Sequence, residues 1–139
     1  MDTISIIKKL YVPRGSKTQH RSHRDEEHRI QVACVNWYRI KYSKFKHCLF
    51  AVPNGGKRDE RTGAILKAEG AMPGVSDLIL LKSNSQYSAL CIEMKTETGK
   101  QSRMQKEWQK AIEQEGVKYV VCRSLDDFIK EVNDYFKNL

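Results

Sequence analysis

Apolar positions recur on two periods along this chain, and the switching between them predicts the order of its elements. From Asp25 a helix is expected, with Ile30, Ala33, Cys34, Trp37 and Lys41 at the three, four and seven spacing of one buried stripe. Phe45 to Pro53 reads as a buried strand that Pro53 ends, and a short helical turn around Ala64 to Glu69 closes at Gly70. Two apolar runs follow, LILL and ALCIEM, with Ser83, Asn84, Ser85 and Gln86 supplying turn chemistry between them. A helix from Arg103 to about Glu115 starts on the S-x-x-Q spacing of a capping box, Ser102 and Gln105, and turns Met104, Trp108, Ala111 and Ile112 to one face. Gly116 stops it, Val117 to Cys122 forms a strand, and Ser124 caps a last helix burying Phe128, Ile129, Val132, Tyr135, Phe136 and Leu139. Runs such as LILL and YVVC lack clean alternation, so the sheet is expected to be covered on both faces. The last strand follows its predecessor through a helix and should pair with it in parallel. The fold class is α/β, a central mixed sheet flanked by helices.

A hairpin centred on Ser85 sets Asp77 opposite Glu93. Side chains alternate along a strand, so Glu93 and Lys95 share that face while Met94 points away. Two carboxylates and an ammonium therefore converge on one patch. The carboxylates repel unless a cation sits between them, and a hard divalent ion with oxygen ligands fits that need.

Composition narrows the partners. The chain has 139 residues, enough for one domain, and no apolar run approaches the length that crosses a bilayer. Its N-terminus lacks the pattern of a signal peptide, so a soluble, intracellular and cytoplasmic protein with no membrane partner is expected. Cys34, Cys48, Cys91 and Cys122 lie far apart, mostly in apolar runs, as reduced core residues would. A net charge of +8 and a pI near 9.4 favour a polyanion, with nucleic acid foremost.

Six of the cations and only one acid fall in residues 1–24, which read as a basic arm outside a domain at 25–139. Either a phosphate-contacting tail or a solvated terminus accounts for that arm. Within it Ile4, Ile6, Ile7, Leu10, Tyr11 and Val12 suffice for a short docking element, and Pro13 to His23 reads as a linker. No cysteine pair at finger spacing accompanies His20, His23 and His28, which argues against zinc. The loop NGGKRDERTG offers Lys57, Arg58 and Arg61 to a phosphate, or is solvated surface; Lys67, Lys100 and Arg103 complete the candidate DNA contacts. Glu26 and Glu27 both lie one turn before Ile30; helical angles slightly favour Glu26 as the continuation of the stripe, so geometry alone does not select Glu27 for the site. First-turn acids also complement the helix dipole.

Asp77 followed sixteen residues later by Glu93-Met94-Lys95 resembles the PD-(D/E)xK nuclease signature, and the element order resembles that superfamily's restriction-endonuclease-like αβββαβ core. More specifically, E-x-x-I-Q at Glu27 to Gln31, then LKAEGAMPGVSDLIL, CIEMK and G-x-x-S-x-x-Q-x-x-W from Gly99 to Trp108 are similar to the virus-type replication-repair nuclease domain, VRR-NUC. Two positions depart from its pattern: Ser76 replaces the usual proline, and Met94 a more frequent aliphatic or aromatic residue. The resemblance implies that Asp77, Glu93 and the backbone carbonyl of Met94 hold Mg2+ or Mn2+, that Lys95 orients the attacking water and stabilises developing charge, and that Glu27 positions a second ion or a water. It gives Gln105 a water-orienting role, which competes with the capping box for the same side chain. The implied activity is that of a Mg2+-dependent DNA endonuclease, a homodimer cleaving branched DNA such as Holliday junctions. A flap or nicking enzyme, or a non-catalytic nucleic-acid-binding module, are the alternatives.

Overall fold

The computed structural model describes residues 2, 4, 5, 23–53 and 59–139. Most of the basic arm, the linker as far as Ser22, His20, the Gly55-Gly56 pair, Lys57 and Arg58 lie outside the described residues; His23, expected to end the linker, instead begins the first helix.

The first helix, α1, spans His23–Lys41, and its buried stripe is Ile30, Ala33, Cys34, Trp37 and Tyr38. Lys41, expected to end that stripe, is exposed, because Tyr38 takes the inward position one turn earlier and donates its hydroxyl to the Phe45 carbonyl at 2.7 Å. That bond helps to hold the following residues in a 3-10 helix, Ser43–Cys48, where a strand was expected. Only Leu49–Ala51 is extended, as β1.

A second correction concerns α2. It runs over Glu60–Ala68, earlier than the expected turn at Ala64, because Asp59 acts as its N-cap and accepts from the Thr62 amide at 2.6 Å. Arg61 therefore sits on a helical turn, not in a loop.

Strands β2 (Leu78–Leu80) and β3 (Leu90–Met94) form the expected antiparallel pair. Their register, Leu78 with Ile92 and Leu80 with Leu90, is that of a turn centred on Ser85. Asn84 supplies the turn chemistry, its Oδ1 accepting from the Gln86 and Tyr87 amides. Helix α3 (Arg103–Glu113) leads to β4 (Lys118–Cys122), which pairs in parallel with β3, and α4 (Leu125–Lys137) closes the chain. The sheet order is β1-β2-β3-β4, mixed and flanked by helices.

Alternation divides the sheet between two environments. Leu78, Leu80, Leu90, Ile92, Met94 and Cys122 join the stripes of α1 and α4 in one core. Large side chains such as Trp37 and Phe128, both sealed there, each contribute about 1.5–3 kcal/mol by burial. Trp37 meets Phe128 edge-on and Tyr42 stacks on Phe136 at 3.9 Å, so the two helices run side by side in the same direction. The opposite face carries Glu93 and Tyr119, and Tyr119 meets Trp108 of α3 edge-on. Helix α3 has no buried residue: Met104 is exposed and Trp108 half-buried, so its expected apolar face is only partly covered. Leu139 is likewise exposed, lying beyond the last turn of α4. Burial raises the thiol pKa of Cys34 and Cys91 and pushes Cys122 up to about 12, which keeps these three thiols unreactive; all four cysteines are free. Among the described residues, no helix is long and apolar enough to cross a membrane.

Candidate active site

Continuing the β2–β3 register by one step brings Asp77 across from Glu93, at the end of the sheet away from the hairpin turn. Asp77 Oδ2 accepts the Met94 amide at 2.7 Å. In an extended chain a residue's N–H and C=O point to the same side, so the Met94 carbonyl also faces Asp77. The Met94 side chain itself is buried in the core under α1 and α4. Ser76, where a proline was usual, is fully buried and donates its hydroxyl to the Leu78 carbonyl at 3.0 Å, which fixes the entry to β2.

Glu93 is the least ordinary group in the protein. Its side chain is 2% exposed, yet it is a carboxyl on a central strand. Oε1 accepts Gln105 Nε2 at 2.8 Å and lies 3.4 Å from Lys95 Nζ. Oε2 is buried and accepts from no donor group, while the Glu93 and Asp77 carboxyls lie close enough to share a hydrogen bond when one of them holds a proton. Desolvation, and then the neighbouring Asp77 carboxylate, push the Glu93 pKa up to about 8, with Lys95 opposing them. Burial raises Asp77 as well, against the Met94 amide, Glu93 and Lys95, which lower it. Two adjacent carboxyls with raised pKa values, whose charge Lys95 offsets only in part, and a buried oxygen that accepts from no donor leave room for a further cation. Hard oxygen donors in that arrangement fit a divalent cation such as Mg2+. Among the described residues there is no cluster of three or more His, Cys, Asp or Glu that could hold a metal, so water and substrate oxygens would have to complete its shell.

Gln105 resolves the competition set up by its sequence position. Its Oε1 accepts the Ser102 amide at 2.8 Å in a complete capping box, while its Nε2 reaches Glu93. One carboxamide, with an acceptor at one end and a donor at the other, both caps α3 and touches the acidic pair.

Glu27 lines a cleft of about 300 Å3 together with Asp77, Arg24, His28, Gln31 and the backbone after β1. Glu26 lines a different cavity, with Ile30, Arg123 and Ser124. Helical rotation thus separates neighbouring acids onto opposite walls, and Glu27 is the one beside Asp77. The remaining cations sit further out. Lys100 is exposed, Arg103 is exposed and paired with Glu107 at 2.9 Å, Arg61 is on the first turn of α2, and Lys67 lines a groove with Met72 and Met104.

Sequence reasoning assigned no role at this site to four contributors. Arg24 and His28 share the wall of Glu27 and Gln31, a set legible from the 24, 27, 28, 31 helical spacing. Thr96, almost fully buried, and Arg123 carry no local signal. The Arg123 guanidinium donates from Nη1 to the carbonyls of Thr96 at 2.7 Å, Glu97 at 3.2 Å and Gly99 at 2.6 Å. The Thr96 hydroxyl meets His23 Nδ1 at 2.9 Å and accepts the Gly99 amide at 3.1 Å. This junction ties the start of α1 and the link between β4 and α4 to the turn between Lys95 and α3. A methyl on Gly99 would lie 3.1 Å from the Thr96 hydroxyl and 3.5 Å from Lys95 Cδ, so that glycine leaves room for the lysine stem. Arg123→Ala strips three carbonyls of a charged donor and is expected to cost roughly 2–3 kcal/mol in urea unfolding. Arg123→Lys should recover part of it, since an ammonium can reach some of those carbonyls but not with a guanidinium's geometry.

The VRR-NUC domain model matches residues 25–126. A solved structure described as a VRR_NUC domain protein is 25% identical, covers 81% of this chain and 89% of its own, and superposes with a TM-score of 0.71. Among curated proteins nothing matches. The matched span begins two residues before Glu27 and runs through Asp77, Glu93, Lys95 and Gln105 to the first turn of α4, on a shared mixed sheet; the chain therefore belongs to the VRR-NUC family and has its nuclease-type fold.

Proposed function

We propose that this protein is a metal-dependent endonuclease that hydrolyses phosphodiester bonds in branched DNA, Holliday junctions among them, as a homodimer, with a flap or nicking activity as the nearer alternative. The observation that carries the proposal is the buried Glu93 carboxyl, with one oxygen that accepts from no donor group, facing Asp77 and flanked by Lys95 and Gln105. Asp77, Glu93 and the Met94 carbonyl would hold Mg2+ or Mn2+. Such an ion polarises a phosphate and lowers the pKa of an attacking water.

The chain's own groups account for the remaining requirements. Lys95, held 3.4 Å from Glu93, places a positive charge where negative charge develops on the phosphate. Gln105, anchored by its capping box, fixes the Glu93 rotamer and presents polar atoms to a water. Glu27, on the facing wall of the cleft, is placed to orient a water on the far side of Asp77. Arg24 and His28 beside it offer donors to phosphate oxygens. Exposed Met72 and Met104, which line a groove with Leu66 at the start of α3, supply an apolar face for a second copy, as a two-strand cutter needs.

Labelled four-way junction, flap, nicked and linear duplex DNA, incubated with Mg2+, Mn2+ or EDTA, test the reading. Cutting is expected only with a divalent ion, and fastest on the junction. Binding without cutting on any of them overturns the enzyme reading. Light scattering tests the assembly, and a strict monomer with and without junction DNA removes the homodimer.

A further inference from the structure

At the other end of the sheet, the C-termini of α1 and α4 meet around a groove of about 620 Å3 lined by Lys41, Tyr42, Phe45, Phe136 and Lys137. Its floor is aromatic: Tyr42 stacks on Phe136 at 3.9 Å, and Phe45 lies 5.7 Å from the same ring. Two further ammoniums converge on Phe45, Lys82 at 4.8 Å and Lys44 at 5.9 Å from its centroid. Four like charges are thus gathered on one surface. Among the described residues only Lys137 of these four has a carboxylate partner, Asp134 at 3.5 Å. From His28 to Arg58 the sequence contains no acid to neutralise the others.

Two bland causes fall short of explaining this gathering. Each helix C-terminus offers roughly half a negative charge, so two of them and Asp134 offset about two of the four ammoniums. Cation–π contact with Phe45 attracts a lysine but removes no repulsion between lysines. An excess of about two positive charges therefore faces an open aromatic groove, which is complementary to a polyanion with planar, stackable groups.

We propose that this groove binds a stretch of DNA backbone other than the one in the catalytic cleft, namely a second arm of a branched substrate. The proposal rests on the nuclease reading for its substrate and extends it to a separate surface. Lys82 lies five residues along the chain from Asp77, about 16 Å at strand rise or about five phosphates of one strand, so the groove would meet phosphates that the cleft does not. Lysines above ring faces suit a sugar-phosphate chain with partly splayed bases better than an acidic peptide.

The test compares wild type with Lys44→Glu/Lys82→Glu and the milder Lys44→Gln/Lys82→Gln, by fluorescence anisotropy in Ca2+ on a four-way junction and a linear duplex. Junction affinity is expected to fall roughly tenfold in the charge reversal, and its salt dependence to lose a slope of about two, near 0.9 per phosphate contact. Linear duplex should change by less than about threefold, and Mn2+-dependent hydrolysis of bis(p-nitrophenyl) phosphate should be unaltered. Unchanged junction affinity and slope overturn the proposal. So does an equal loss on both DNAs, or a loss confined to phosphatidylserine vesicles. A junction bound through these lysines but never cut sinks the nuclease reading while supporting this one.

Discussion

Glu93→Gln is expected to stabilise the metal-free protein while abolishing cleavage. The two effects have one cause. A carboxyl with a pKa pushed up to about 8 in the folded state, against an ordinary value of 4.5, ionises less readily folded than unfolded. Its contribution to stability is therefore complete below about pH 4.5 and is lost progressively as the pH rises through 8. At pH 7 the wild type should forgo roughly 3 kcal/mol relative to its acid-side optimum at this one site. Glutamine keeps the shape, cannot ionise, and should remove that slope. Urea unfolding in EDTA from pH 5 to 9 measures it, and a variant whose stability falls with pH as steeply as wild type would show that Glu93 is not the strained group. Cleavage should drop by roughly 10^3-fold or more, because a carbonyl oxygen replaces an anionic ligand worth several kcal/mol to a bound cation.

The same shift fixes the pH dependence of the active protein. On the proposed metal site, a cation held by Glu93 would displace a proton, so the Mg2+ concentration for half-maximal cutting should rise as the pH falls below about 8, by up to about tenfold per unit. Lys95→Ala removes a charge that lowers the Glu93 pKa, so, with Mg2+ binding read by calorimetry because the variant should not cut, the weakening of binding should begin at a higher pH.

Much of this site was legible from local patterns. The Asp77–Glu93 opposition follows from a turn centre and a two-residue period, and both depend on nearby residues. The capping box of Ser102 and Gln105, the Gly116 stop and the Ser124 cap were readable for the same reason. What sequence missed is long-range or competitive. Arg123 reaches carbonyls 24 to 27 residues away, a contact with no periodic trace. Residues 45–48 have strand composition, yet Tyr38 draws in the Phe45 carbonyl and wins the backbone for a 3-10 helix. Gln105 was set against itself because its side chain was counted as one group, although a carboxamide carries an acceptor and a donor at separate atoms. Glu27 and Glu26 could not be separated until the walls of two cavities showed which of them stands with Asp77.

Gly74→Ala is expected to damage the site without touching any group that meets the substrate. Gly74 has φ +88, and a methyl there would lie 2.5 Å from the Met104 carbonyl oxygen, 2.6 Å from its carbon and 3.0 Å from the Gln105 amide nitrogen. All three are backbone atoms in the first turn of α3, so no side chain can swing aside. Either the loop before Asp77 or the start of α3 must move, and in both cases Gln105 and Glu93 part from their 2.8 Å contact. Left-handed strain and overpacking together should cost about 2–4 kcal/mol, and cleavage should fall at least roughly tenfold. Gly70→Ala separates the two contributions. Gly70 has φ +105 but nothing within 4 Å of a built methyl, so it should lose only the backbone strain, about 1–2 kcal/mol, and keep full activity. A folded Gly74→Ala protein that cuts at the wild-type rate would mean that the seating of α3 against this glycine does not position Gln105.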